Sequence, residues 1–179
     1  MSRQYFADTL NEPIGVDHAT ITATTETVLI PTIFTPIPAF EPRVGKVYEL
    51  IVGGTVTTGA AGTLILTPRF GTAIGGVSLG VSPTQNYVPS ITTAPFLLRY
   101  YLTFRTIGGA GTNSTALGYG NWSSGGAVAT AASETAVAAG TVGAAVAVDT
   151  TIANALWMGV TFSVAPSVIP KFHVWRSLN

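Results

Sequence analysis

Charged side chains are scarce in this chain: Asp, Glu, Lys and Arg together make up 9% of it, against roughly a quarter in an ordinary soluble domain. Cysteine is absent, and histidine occurs only as His18 and His173. Threonine, valine, alanine and glycine take the space instead. Branched residues suit a pleated strand, where their restricted χ1 costs little. Such a chain is suited to flat, packed β-sheet. It has few groups that can move protons, hold metals or attack substrates, so its expected product is shape and contact.

The 179 residues fit one domain with a sizeable core, since a domain of ~150 residues buries roughly 70% of the surface its unfolded chain exposes. The formal net charge is zero, and the eight Lys and Arg are scattered from Arg3 to Arg176. Nucleic-acid binding needs clustered positive charge, and none is visible. A sparsely charged surface with mean hydropathy +0.46 resists aggregation poorly. A homo-oligomer or a larger assembly is therefore expected. A membrane helix is not: the Ala-rich residues 125–148 are interrupted by Ser133, Glu134 and several Thr and Gly, and a span needs about 20 mainly apolar residues. The first fifteen residues have no apolar core of a secretory signal.

Residues 1–17 mix polar and aromatic residues without period, and Pro13 and Gly15 punctuate them. They read as an extended arm rather than a strand or helix, with Tyr5 and Phe6 placed to dock on a neighbour. Residues 19–24 and 27–30 turn to β bias. Pro31, Pro36, Pro38 and Pro42 then make an edge or loop, because proline cannot donate to a ladder. Residues 46–56 predict a strand in which Gly53 and Gly54 mark a bulge or a close backbone approach. Residues 63–70 predict its return strand, joined to it as a hairpin.

A short strand is expected at 75–81. Residues 95–107 carry the longest β signal. Phe96, Leu98, Tyr100, Leu102 and Phe104 share one face, and Leu97, Arg99, Tyr101, Thr103 and Arg105 share the other. The arginine-bearing face is expected to meet solvent or a partner. Residues 114–122, 156–164 and 171–178 read as further strands, with Pro166 and Pro170 bracketing the last connection. Residues 125–143 read as a flexible excursion or a flat strand of small residues. Asp149 is a plausible cap for residues 150–155. Eight to ten strands and no helix predict an all-β, antiparallel two-sheet β-sandwich of the jelly-roll type over residues 19–179, with an extended N-terminal arm at 1–18.

The glycine clusters at 75–76 and 108–111 match no phosphate loop and precede no helix, so turns or bulges are expected. His18 and His173 lie far apart, nothing in the sequence joins them, and structural or solvent roles are expected. Asp17, Glu26, Glu41, Glu49, Glu134 and Asp149 are isolated, whereas glycoside hydrolysis needs two carboxyls roughly 5 to 9 Å apart. No ligand spacing for a metal is present. We expect no catalytic residue, no metal and no cofactor. Asn113-Ser114-Thr115 and Asn121-Trp122-Ser123 fit the glycosylation sequon but read as chance matches. Trp157 and Trp175 lie in core-type strands. Trp122, beside a Ser-Gly run, is the tryptophan placed to stack on a sugar.

Several short segments occur in a familiar order. They are Thr24-Thr25-Glu26-Thr27 followed by Leu29-Ile30-Pro31, then Val44-Gly45-Lys46, then Gly62-Thr63-Leu64-Ile65-Leu66 with Arg69-Phe70-Gly71. Leu102-Thr103-Phe104-Arg105-Thr106-Ile107-Gly108, Val148-Asp149-Thr150-Thr151-Ile152-Ala153-Asn154 and the final Leu178-Asn179 follow. In this order the chain resembles a jelly-roll family of tailed-bacteriophage virion proteins. The resemblance covers nearly all of the chain after the arm and carries over no catalytic residues. It implies a non-enzymatic structural module, on the capsid surface as a decoration or cement protein, often trimeric, or in tail fibres and baseplates.

The main expectation is a capsid decoration protein bound to the major capsid protein and to itself as a homotrimer. It would lie on the virion surface after synthesis in the host cytoplasm, with no nucleic acid or membrane as partner. Candidate contacts are Tyr5, Phe6, Pro31, Phe34, Pro36, Pro38, Phe40, Arg99, Tyr101 and Arg105. The alternative is a tail-fibre or baseplate module that binds a host-surface glycan through Trp122.

Overall fold

A computed structural model describes residues 8–11, 17–72, 75–124, 134–138 and 145–178. Among these the protein is all-β, with two antiparallel sheets packed face to face. The first sheet has the order β1 (Asp8–Asn11), β13 (Pro166–Ser177), β4 (Val47–Thr58), β8 (Ile91–Thr106), β9 (Ser114–Ser124) and β10 (Glu134–Ala138), and β11 (Val146–Val148) also pairs with β9. The second sheet has the order β2 (Thr27–Val28), β12 (Asn154–Phe162), β5 (Gly62–Gly71) and β6 (Val77–Ser78). In it β3 (Pro36–Ile37) pairs with β12 and β7 (Gln85–Tyr87) with β5.

The core follows from the strand alternation. Phe96, Leu98, Tyr100, Leu102 and Phe104 of β8 are all buried, as the two-residue period predicts. They face Leu64, Leu66 and Phe70 of β5 and Leu156, Met158, Val160 and Phe162 of β12, also buried. Phe70 meets Phe104 edge-on at 5.8 Å between centroids, which ties the two sheets.

Gly53 and Gly54 lie where β13 bulges between Pro170 and Phe172. A Cβ on Gly54 would run into the Ile169 carbonyl oxygen and the Pro170 Cα, and one on Gly53 into the Phe172 ring. The close backbone approach read from the sequence is therefore present.

Several expectations need correction. Strands β4 and β5 do not form a hairpin. The three residues between them carry the chain from one sheet to the other, so β4 pairs with β13 and β8 while β5 pairs with β12. Pro166 and Pro170 do not bracket a loop: Pro166 opens β13, and Pro170 sits inside it at the bulge, where a missing N–H is tolerated. Residues 19–24 form no strand. Ile21 alone is buried there, and it makes one isolated bridge to Val168.

The arm is not strand-free. Strand β1 folds back on its own sheet, with Asp8 opposite Ser177 and Thr9 opposite Arg176. Within residues 125–143, β10 pairs with β9, and the rest lies outside the described residues. Asp149 caps the residues that follow it, as expected. Its carboxylate accepts from the Thr151 amide (2.8 Å), the Thr151 hydroxyl (2.7 Å) and the Gly111 amide (2.9 Å). These bonds hold its pKa below the usual carboxylate range. Residues 154 and 155 already belong to β12.

Candidate interaction surface

The indole of Trp122 is fully buried, which corrects its reading as a sugar platform. It lies opposite Leu98 in the β8–β9 ladder, and so shares the inward face. Its ring stacks on Phe96 at 4.3 Å with an 11° tilt, and its Nε1 donates to the Tyr87 hydroxyl at 3.1 Å. Ser123 and Ser124 beside it are the last residues of β9. Trp175 is also buried and stacks on Tyr48 at 5.3 Å. Trp157 is half-buried and donates to the Gly71 carbonyl at 3.0 Å.

The proline-rich segment is a rigid edge. Pro31 starts a single 3-10 turn, Thr32–Phe34, closed by Phe34 N–H to Pro31 O at 3.1 Å and Thr35 N–H to Thr32 O at 3.0 Å. The Thr35 hydroxyl then donates to Leu156 O at 2.6 Å, and Leu156 N–H donates to Thr35 O at 3.1 Å. Trp175 Nε1 donates to Pro36 O at 3.1 Å, and Ile37 is buried. These ties leave Pro31, Pro36 and Pro38 exposed, with Ile33 73% and Phe40 74% exposed. Phe34 is the exception in this candidate set: it is half-buried and packs against both histidine rings.

Phe40 combines two unfavourable features. Its φ is +61°, a left-handed backbone that costs a bulky residue roughly 1–2 kcal/mol. Its ring is held in solvent while its N–H donates to Thr150 O at 2.9 Å. Val44, later in the same loop, and Ile152, in the loop that accepts the Phe40 bond, are exposed as well. Strained, solvent-facing apolar residues of this kind point to contact.

The outer face of the first sheet carries the remaining candidates. Arg99 and Arg105 are exposed and Tyr101 half-buried. A cross-strand row runs Arg176, Glu49, Tyr101, Tyr119. Glu49 is only 2% exposed. Arg176 Nε donates to its Oε2 at 2.5 Å, and Arg99 Nε stands 3.6 Å from its Oε1. Tyr101 stacks on Tyr119 at 5.4 Å, and desolvation, then the Glu49 carboxylate, pushes its phenol pKa up. This ion cluster is absent from the sequence reading, which treats Glu49 as isolated. The alternation of β4 places Glu49 opposite Tyr48 and Leu50, but only the strand register brings Arg176 and Arg99 to it.

The histidines are joined too, contrary to expectation. His18 Nε2 and His173 Nδ1 share a hydrogen bond of 3.0 Å, and the Phe34 ring lies 5.3 Å and 4.7 Å from the two imidazoles. Three further carboxylates are engaged: Glu26 with Arg69 at 2.7 Å, Asp17 with Lys171 at 2.5 Å, and Glu41 with Lys46. Among the described residues no three His, Asp or Glu side chains converge as metal ligands would. Among the described residues no helix is long and apolar enough to cross a membrane. Tyr5 and Phe6 lie outside the described residues. The chain matches no family model, no curated protein and no solved structure.

Proposed function

We propose that this chain is a non-enzymatic virion structural protein, a decoration or cement protein on the outer capsid surface of a tailed phage. The reading rests on the ordered sequence resemblance described above, and within it the sandwich is taken as a jelly-roll module. The observation that carries it furthest is Phe40: a strained aromatic residue presented to solvent from an edge braced by Thr35, Trp175 and Thr150. A braced apolar anchor loses little entropy on docking, which favours affinity. The partner is the major capsid protein, and the working form is a homotrimer. Contacts of this apolar kind depend weakly on salt, and many copies add avidity across the particle.

The test is Phe40→Asn. Asparagine tolerates the left-handed backbone, so the fold is expected to be unchanged or more stable by about 0.5–1 kcal/mol in urea unfolding. Affinity for undecorated heads is expected to fall about tenfold or more, as for loss of a hot-spot aromatic. Unchanged head binding by the variant would remove Phe40 from the contact.

A further inference from the structure

We propose that the His18–His173 pair is an acid-sensitive latch that holds the N-terminal segment on the open edge of β13. The segment runs along that edge through β1, then through His18 N–H to Pro170 O at 2.9 Å, then through the Ile21–Val168 bridge. Among the described residues, the histidine bond and the Asp17–Lys171 ion pair add side-chain ties from the segment to β13.

A count of protons shows why acid opens the latch. The neutral pair carries two ring N–H groups, and one must lie between His18 Nε2 and His173 Nδ1. His173 is fully buried, and its Nε2 has no hydrogen-bond partner. A buried unpaired donor is costlier than an unpaired acceptor. The favoured arrangement therefore has His173 Nδ1–H donating to His18 Nε2, with His173 Nε2 bare. A third proton leaves two outcomes. Either an N–H appears on His173 Nε2, inside the core and without an acceptor, or both bridging nitrogens are protonated and the bond is lost. The second outcome frees His18, which is partly exposed and lines a groove of about 450 Å³ with Thr20, Ile21 and Leu29.

The groups facing the pair agree with this. Phe34 brings no charge from the 3-10 turn, and Val52 is the β4 residue opposite His173. Among the described residues Asp17 is the carboxylate whose charge acts on His18, and Lys171 engages it; Glu26 lines the same groove and is paired with Arg69. Burial lowers the pKa of both imidazoles from 6.5, opposed at His18 by Asp17 and reinforced at His173 by His18. Because the folded pKa values are depressed, the open form takes the proton first. The latch contributes fully above the open-state value of 6.5 and is lost as pH falls from there through the folded values.

The experiment is amide hydrogen exchange, corrected for intrinsic rates, at about pH 7.5 and about pH 5, across the imidazole range. The reporters are the Ile21 and Val168 amides, which bond each other's carbonyls at 2.8 and 3.0 Å. The reference is the Leu79 amide, bonded to Pro68 O at 2.8 Å in the second sheet. Protection at Ile21 and Val168 is expected to fall severalfold or more on acidification. Leu79 is expected to hold. In His18→Gln the fall should shrink by roughly half or more, because one of two coupled sites is gone. Asp17→Asn should retain it. No fall in the wild-type protein, an equal fall at Leu79, or an unchanged fall in His18→Gln would each overturn the latch.

Discussion

Trp122→Ala is expected to destabilise the fold by about 3–5 kcal/mol, the range for truncating a buried tryptophan. The indole is fully buried, stacked on Phe96 and bonded to Tyr87. Its removal leaves a cavity between the sheets and the Tyr87 hydroxyl without its donor. Urea unfolding checks this through a lower midpoint at an unchanged slope. The size of the effect bears on function as well. Any activity lost in this variant would reflect lost folded protein, so a glycan-binding role cannot be assigned from it. A variant as stable as the parent would contradict the buried position of the ring.

The second large effect is expected at Arg176. Arg176→Met removes the closest cation from Glu49, whose side chain is 3% exposed. Breaking a fully buried pair from one side costs about 3–5 kcal/mol, because the remaining charge stays desolvated; here Glu49 is buried but the Arg176 side chain is 37% exposed, which lowers the cost. Arg99 remains at 3.6 Å and offsets part of this, so a loss of about 2–4 kcal/mol is expected. Arg99→Met should lose less than about 1 kcal/mol, since its side chain is 48% exposed and its contact is long. Equal effects for the two variants in thermal or urea unfolding would contradict the asymmetry of this cluster.

How much of this was legible depends on whether a feature is local in sequence. The two faces of β8 are local: alternation over sixteen residues separates Phe96 to Phe104 from Arg99, Tyr101 and Arg105. The close approach at Gly53 and Gly54 was legible for the same reason, since paired glycines within a strand have few other uses. Partnering is not local. The run 46–70 shows two strands and a turn, but not that the turn crosses between sheets, because distant β13 and β12 supply the competing ladders. Two-residue strands such as β2, β3 and β6 are too short to carry a period.

The candidate site divides in the same way. Proline spacing marks 31–42 as an edge or loop, with Phe34 and Phe40 both candidate contacts; Phe40 is exposed and Phe34 half-buried. The left-handed backbone at Phe40 and its bond to Thr150 were not readable, because the bonding partner is distant in sequence. The joining of His18 to His173, and of Glu49 to Arg99 and Arg176, needs a strand register that no single segment encodes. Trp122 was misjudged because its Ser-Gly neighbours suggest a loop, while its place opposite Leu98 turns the indole inward.

The most direct measurement is sedimentation of the purified protein with tail-free, undecorated phage heads. The proposed role predicts saturable co-sedimentation at a fixed ratio to the major capsid protein, largely unaffected by added salt. Protein that stays in the supernatant at every head concentration would contradict it.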